Sequence, residues 1–175
     1  MHVLDVVENS ISAGARRVAI RVRESRSEDS FLIEIADDGA GMSEETLRRA
    51  TDPFFTTRTT RRVGLGLPLL EQAAQAAGGW LRIESAPGVG TKVTALFRHG
   101  HIDRQPLGDM GRTLLSLIVG NPDVEFDYRR EAEGREVSLN SREFADQLEG
   151  LPIVSPRGIS ALKKRIKKLD ELLAG

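Results

Sequence analysis

The chain has 175 residues, 39% hydrophobic and 29% charged, the balance of a soluble globular protein rather than a disordered one. Its net charge is −1, and the basic and acidic residues number 13 and 13 in residues 1–100 and 12 and 13 in residues 101–175. Neither half is a polycation, so generic nucleic-acid binding is not expected. The absence of cysteine excludes disulfides, thiolate metal sites and a cysteine nucleophile. With no apolar run of membrane-spanning length and no signal-peptide core at its start, the sequence is expected to be cytoplasmic.

Residues 2–13 read as a helix that stops at Gly14. Asp5, Asn9 and Ala13 recur every four residues and share one face of it, a polar row that a purely structural helix has no need of. Residues 16–23 alternate basic and apolar, a strand with Val18, Ile20 and Val22 on one side. Residues 31–37 form a second strand with Phe31, Ile33 and Ile35 inward, and the glycine loop DDGAGM follows. Ser43 caps a short helix with Glu44 and Glu45 in its first turn. Residues 51–66 read as a long polar loop and 67–77 as a helix ending at Gly78 and Gly79. Strands at 80–85 and 91–98 flank the turn APGVG.

From His99 the character changes. A connector leads to a helix over 109–119, a hairpin around Glu131–Gly134, a short helix capped by Ser141 and reaching about Leu148, and a last helix over 157–173. That helix carries Ile159, Leu162, Ile166 and Leu169 on one stripe. The expected fold is an α/β (α+β) two-layer sandwich, a mixed sheet with helices on one face, in residues 1–100, with a small C-terminal α+β module in 101–175.

Four stretches could carry chemistry. In DDGAGM (37–42) an acid at a strand end can accept from an exocyclic amine while glycines let a flat ligand approach the backbone; alone, such a stretch is more often a plain turn. In VGLGLPLL (63–70) two glycines open a helix whose free N–H groups suit a phosphate, with the spacing of neither the P-loop nor the dinucleotide fingerprint. In DPFFTTRTTRR (52–62) arginines that can grip phosphate stand in a loop long enough to be a lid. In the opening row an asparagine oxygen suits Mg²⁺, and an acid one turn away can orient or deprotonate a water.

Their order, ENSISAGA, DDGAGM, DPFFTTR…GLGL and GVGT over residues 3–98, resembles the ATP-binding domain shared by gyrase, heat-shock-90 chaperones, sensor histidine kinases and MutL-type ATPases (the GHKL group, with the Bergerat-type fold). The connector HIDRQPLGDM adds a likeness to stand-alone histidine-kinase-like proteins of that group. The resemblance implies ATP and Mg²⁺ as cofactors. It implies Asn9 as the metal ligand, Asp37 as acceptor for the adenine amine, Gly39, Gly41 and Met42 as walls of the base, and Thr91 as a support of the adenine subsite, with a water. Ala13 belongs to the same motif row. Residues 52–66, with Phe54 and Thr57, resemble the lid, and Gly64, Leu65, Gly66 and Leu67 the turn whose amides meet the phosphates. Arg58, Arg61 and Arg62 are phosphate-contact candidates.

One departure stands out. Where the gyrase and mismatch-repair branches carry a water-activating Glu, this chain has Asp5, shorter by one methylene; Glu8 is an alternative base that points about 100° away from Asn9 on a helix. ATP binding is therefore the firmer expectation and hydrolysis the weaker.

The lid pattern resembles the sensor-kinase branch, in which a preceding helical hairpin carries the phospho-accepting His; here only Met1–Leu4 precede the first motif. Relatives carry another turn of helix before the acid, so the first helix is expected to be clipped. His101 echoes a phospho-acceptor pattern, though a connector is the plainer reading. The functional expectation is a protein kinase, histidine-kinase-like or anti-sigma-like, or a nucleotide-dependent regulator. The alternative is an ATPase or a MutL-type switch without phosphotransfer to protein. A protein partner is expected at the C-terminal module, whose last helix is rich in Lys and Arg; a homodimer is also open.

Overall fold

The structure, a computed structural model, describes residues 3–52 and 66–174. Helix α1 (Val3–Ser12) leads into a hairpin of β1 (Arg17–Ser25) and β2 (Ser30–Asp37). The short α2 (Glu44–Arg48) and then α3 (Gly66–Ala76) precede a second hairpin, β3 (Trp80–Ala86) and β4 (Gly90–Arg98). Helix α4 (Met110–Gly120), the hairpin β5 (Glu125–Ala132) and β6 (Arg135–Asn140), α5 (Ser141–Asp146) and α6 (Pro156–Ala174) complete the chain.

The strands form a single mixed sheet in the order β3-β4-β2-β1-β5-β6. All neighbours run antiparallel except β1 and β5, whose parallel register sets Ile20 beside Tyr128. The alternation seen in sequence becomes one buried face: Val18, Ile20 and Val22 of β1, Phe31, Ile33 and Ile35 of β2, Val93, Ala95 and Phe97 of β4. Helices cover that face with Val6 and Val7 of α1, Leu70 and Ala74 of α3, Leu114 and Ile118 of α4, and Leu162 and Ile166 of α6. These side chains belong to one hydrophobic cluster running under residues on both sides of position 100. The opposite face is a lattice of ion pairs, such as Arg21–Glu34 and Lys92–Glu34.

Local chemistry sets the element ends. Gly14, at φ 77°, closes α1, and Ala15 N–H donates back to Ser10 O at 3.1 Å. Glu133 and Gly134, both at positive φ, make the two-residue turn between β5 and β6 that matches sheet twist. Ser43 caps α2 as expected. The cap of α5 is a correction: Asn140, not Ser141, accepts the Arg142 and Glu143 N–H groups. Ser141 is buried, and its hydroxyl accepts from Phe126 N–H at 2.9 Å, tying α5 to β5. The helix also ends earlier than expected, at Asp146.

Candidate functional site

Several of the predicted residues meet at one end of the sheet, where β2 ends and β4 begins. Asp37 and Thr91 are direct partners across these strands. The Asp37 carboxylate is fixed from three sides. Its Oδ1 accepts Gly39 N–H at 2.9 Å and Thr91 N–H at 3.3 Å, and its Oδ2 accepts the Ser10 hydroxyl of α1 at 2.6 Å. An ionised carboxylate has about four acceptor positions. Three are used here, so one on Oδ2 can take a further donor.

Glycine brings the loop after β2 close to its neighbours. A Cβ on Gly39 would stand 3.0 Å from Ala13 O and 3.0 Å from Asp37 Oδ1. Ala13 O also accepts Ala40 N–H at 2.9 Å, so the end of α1 is pinned to the loop. Gly41 sits at φ 69° with its Cα against the Ala86 carbonyl, where any Cβ would collide. Met42 N–H donates to Ser85 Oγ at 2.8 Å, and that hydroxyl lies 2.9 Å from Thr91 Oγ1. Gly90, at φ 125°, lets β4 approach the Asp37 carbonyl. Asp38 points away from this group and ties the start of β1: its Oδ1 accepts Arg16 N–H at 2.8 Å and Arg17 N–H at 2.9 Å. The Arg17 bond, above all, holds the Asp38 carboxyl below its ordinary range.

A second junction joins α1 to α3. A Cβ on Gly66 would lie 2.8 Å from Asp5 Cβ, so the first residue of α3 can lie this close to α1 only as glycine. Asn9, half-buried, is one turn further along α1 from Asp5 and on the same side of that helix. Leu67 packs against the core beneath.

The structure therefore brings together Asp37, Gly39, Thr91 and Ala13 directly, Gly41 and Met42 through β3, and Asp5 with Gly66. Glu8 is elsewhere: it lines a cleft of about 420 Å³ between α1 and α4, with Ile11 and Leu117. Phe54, Thr57, Arg58, Arg61, Arg62, Gly64 and Leu65 lie outside the described residues. His101 lies at the far end of α3, its Cδ2 3.6 Å from where a Cβ of Gly78 would be. Helix α3 spans eleven residues, or about 16 Å, between that point and Gly66. Sequence reasoning missed Ser10 and Ser85. Ser10 stands directly after Asn9 and is a buried polar residue on the core face of α1; Ser85 falls on the core-facing register of β3, where an aliphatic is the norm.

At the end of the sheet, then, a carboxylate is held at a strand end by two backbone N–H groups and a helix hydroxyl, among glycines that let the neighbouring backbones approach closely. Residues 2–101 match the family model of the histidine kinase-, DNA gyrase B-, and HSP90-like ATPases, and the chain belongs to this family. It is similar to the sensor protein kinase FleS of Pseudomonas aeruginosa, with 40% identity over 94 residues, 54% of this chain and 23% of that protein. It is also similar to the signal transduction histidine-protein kinase AtoS of Escherichia coli, with 34% identity over 95 residues, 54% of this chain and 16% of that protein. The chain thus spans less than a quarter of the length of these relatives. A solved structure described as the N terminal domain of a DNA repair protein has the same fold, with a TM-score of 0.56 at 16% identity, over 90% of this chain and 57% of that one. No helix among the described residues is long and apolar enough to cross a membrane.

Proposed function

We propose that the chain binds ATP with Mg²⁺ at this site and acts as a protein kinase or a nucleotide-dependent regulator of a partner protein. The observation that carries the reading is the Asp37 carboxylate, held by Gly39, Thr91 and Ser10 with an acceptor position left for the adenine amine. Fixing an acceptor before the ligand arrives lowers the ordering cost of binding. Gly39, Gly41 and Met42 wall the base, and Thr91, bonded to Ser85, supports its far side through a water.

Asn9 would hold Mg²⁺ through its amide oxygen, and the ion when bound neutralises triphosphate charge. An amide oxygen is a donor of the hard kind Mg²⁺ takes, and Mg²⁺ on nucleotides draws most of its ligands from phosphate and water, so one such protein oxygen suits it. The first turn of α3, at Gly66, directs its N–H groups to the phosphates. Arg58, Arg61 and Arg62 are phosphate contacts on sequence grounds alone. Asp5, beside Gly66, would orient or deprotonate a water, and its side chain, one methylene shorter than a Glu, makes hydrolysis the alternative rather than the leading reading.

The similarity to sensor kinases supports phosphoryl transfer to protein. Incubation with γ-labelled ATP separates the readings. Label on an added protein supports a kinase, free phosphate without labelled protein supports the ATPase alternative, and nucleotide binding without turnover supports a regulator. Absence of ATP binding removes the proposal altogether.

A further inference from the structure

Strand β3 is one edge of the sheet, and it has the makings of a self-complementary interface. Its seven residues, WLRIESA, contain no proline, glycine or bulge, three of the devices that protect natural edges, and its two charges are of opposite sign. On the open face, charges further in are neutralised locally: Arg21 and Lys92 by Glu34, Arg17 by Asp127, Arg129 by Glu136. Arg82 and Glu84, both exposed on β3, have no ion-pair partner among the described residues. Beside them Trp80 is 43% exposed, and on the helix side Leu81 and Ile83 are only partly covered.

We propose that β3 pairs antiparallel with β3 of a second copy of this chain, about a two-fold axis at Ile83. The register follows from the sequence. Ile83 is the middle of the strand, so overlap over its full length sets Ile83 against Ile83 and Leu81 against Ser85 on the helix side. On the open face it sets Arg82 against Glu84 twice, and Trp80 against Ala86. A shift of two residues either way puts Arg82 against Arg82 or Glu84 against Glu84 and shortens the overlap. A shift of one residue turns the helix layer of one copy to the opposite face of the joint sheet. Only the full-length register satisfies charge, length and layer together, and an isologous pair of this kind closes as a dimer. The opposite edge offers nothing comparable. Strand β6 has six residues, so its full overlap would set buried Val137 against exposed Ser138. The inference rests on the edge and its charges, not on nucleotide binding.

The test is sedimentation of the full chain over the micromolar range without nucleotide, read alongside the fluorescence of Trp80, the single tryptophan. The wild type is expected to pass from monomer to dimer as concentration rises, with Trp80 emission moving to shorter wavelength. Arg82→Glu and Glu84→Arg each turn both cross-strand pairs repulsive and are expected to weaken the dimer about tenfold or more. Mixing the two variants restores opposite charges at both contacts and is expected to give a one-to-one heterodimer, which also shows that each variant is folded. A wild type that stays monomeric throughout, variants that dimerise like the wild type, or a mixture that does not associate would each overturn the proposal.

Discussion

The Ser10 hydroxyl donates to Asp37 Oδ2 at 2.6 Å, joining the helix that carries Asn9 to the strand end where β2 stops. A bond this short to a carboxylate is among the stronger kinds in proteins. It ties the two parts of the proposed site, Asn9 for the metal and Asp37 for the base, to each other directly.

Ser10→Ala is therefore expected to lower stability by about 1.5–3 kcal/mol, because the hydroxyl is buried and its partner is charged. Nucleotide affinity should fall by about tenfold as the carboxylate gains freedom. Urea unfolding and a binding titration of the variant check the two effects separately.

Gly90→Ala is expected to be more damaging. Its φ of 125° is strained for any other residue, and the added methyl group would fall on the Asp37 carbonyl. A loss on the order of 2–4 kcal/mol should appear in thermal unfolding. Gly88→Ala, at φ 74° but with open space around it, is the control and should cost less.

Asn9→Ala tests the metal role. The half-buried side chain lies outside the hydrophobic core, so the variant is expected to keep the fold, which circular dichroism checks. ATP affinity in Mg²⁺ should drop to the level measured in EDTA. Unchanged Mg²⁺ dependence would remove the role assigned to Asn9.

Alkaline titration has a single reporter, since Tyr128 is the only tyrosine. Burial pushes its phenol up to about 12 from an ordinary 10.0. The unfolded chain loses this proton first as pH rises, so the unfolded state binds fewer protons and stability falls between these values. The loss amounts to about 2–3 kcal/mol. Tyrosinate absorbance should therefore rise only near pH 12 or with unfolding, and Tyr128→Phe should flatten the alkaline decline.

The strands and most helices were legible in the sequence because their signals are local. Alternation at Val18, Ile20 and Val22 and the glycine after α1 need no knowledge of the rest of the chain. The cap of α5 was misread because Asn140 and Ser141 are both good caps, and the choice was made by a distant donor, Phe126 N–H. The parallel pairing of β1 with β5 was not readable for the same reason: more than a hundred residues separate Ile20 from Tyr128, and no turn between them sets the register. At the site, acids and glycines stood out by type and order. Ser10 and Ser85 did not, since a serine gains its meaning only from the carboxylate or threonine it reaches.

The central claim is that the site around Asp37 binds adenine nucleotide, with the Asp37 carboxylate accepting from the base. Isothermal titration of the folded chain with ATP in Mg²⁺ is its most direct measurement. The account predicts one site per chain with measurable heat, weakened strongly in Asp37→Asn, which removes the charge but keeps the size of the side chain. A folded wild type that gives no heat with ATP or ADP, or an Asp37→Asn variant that binds as tightly as the wild type, would contradict it.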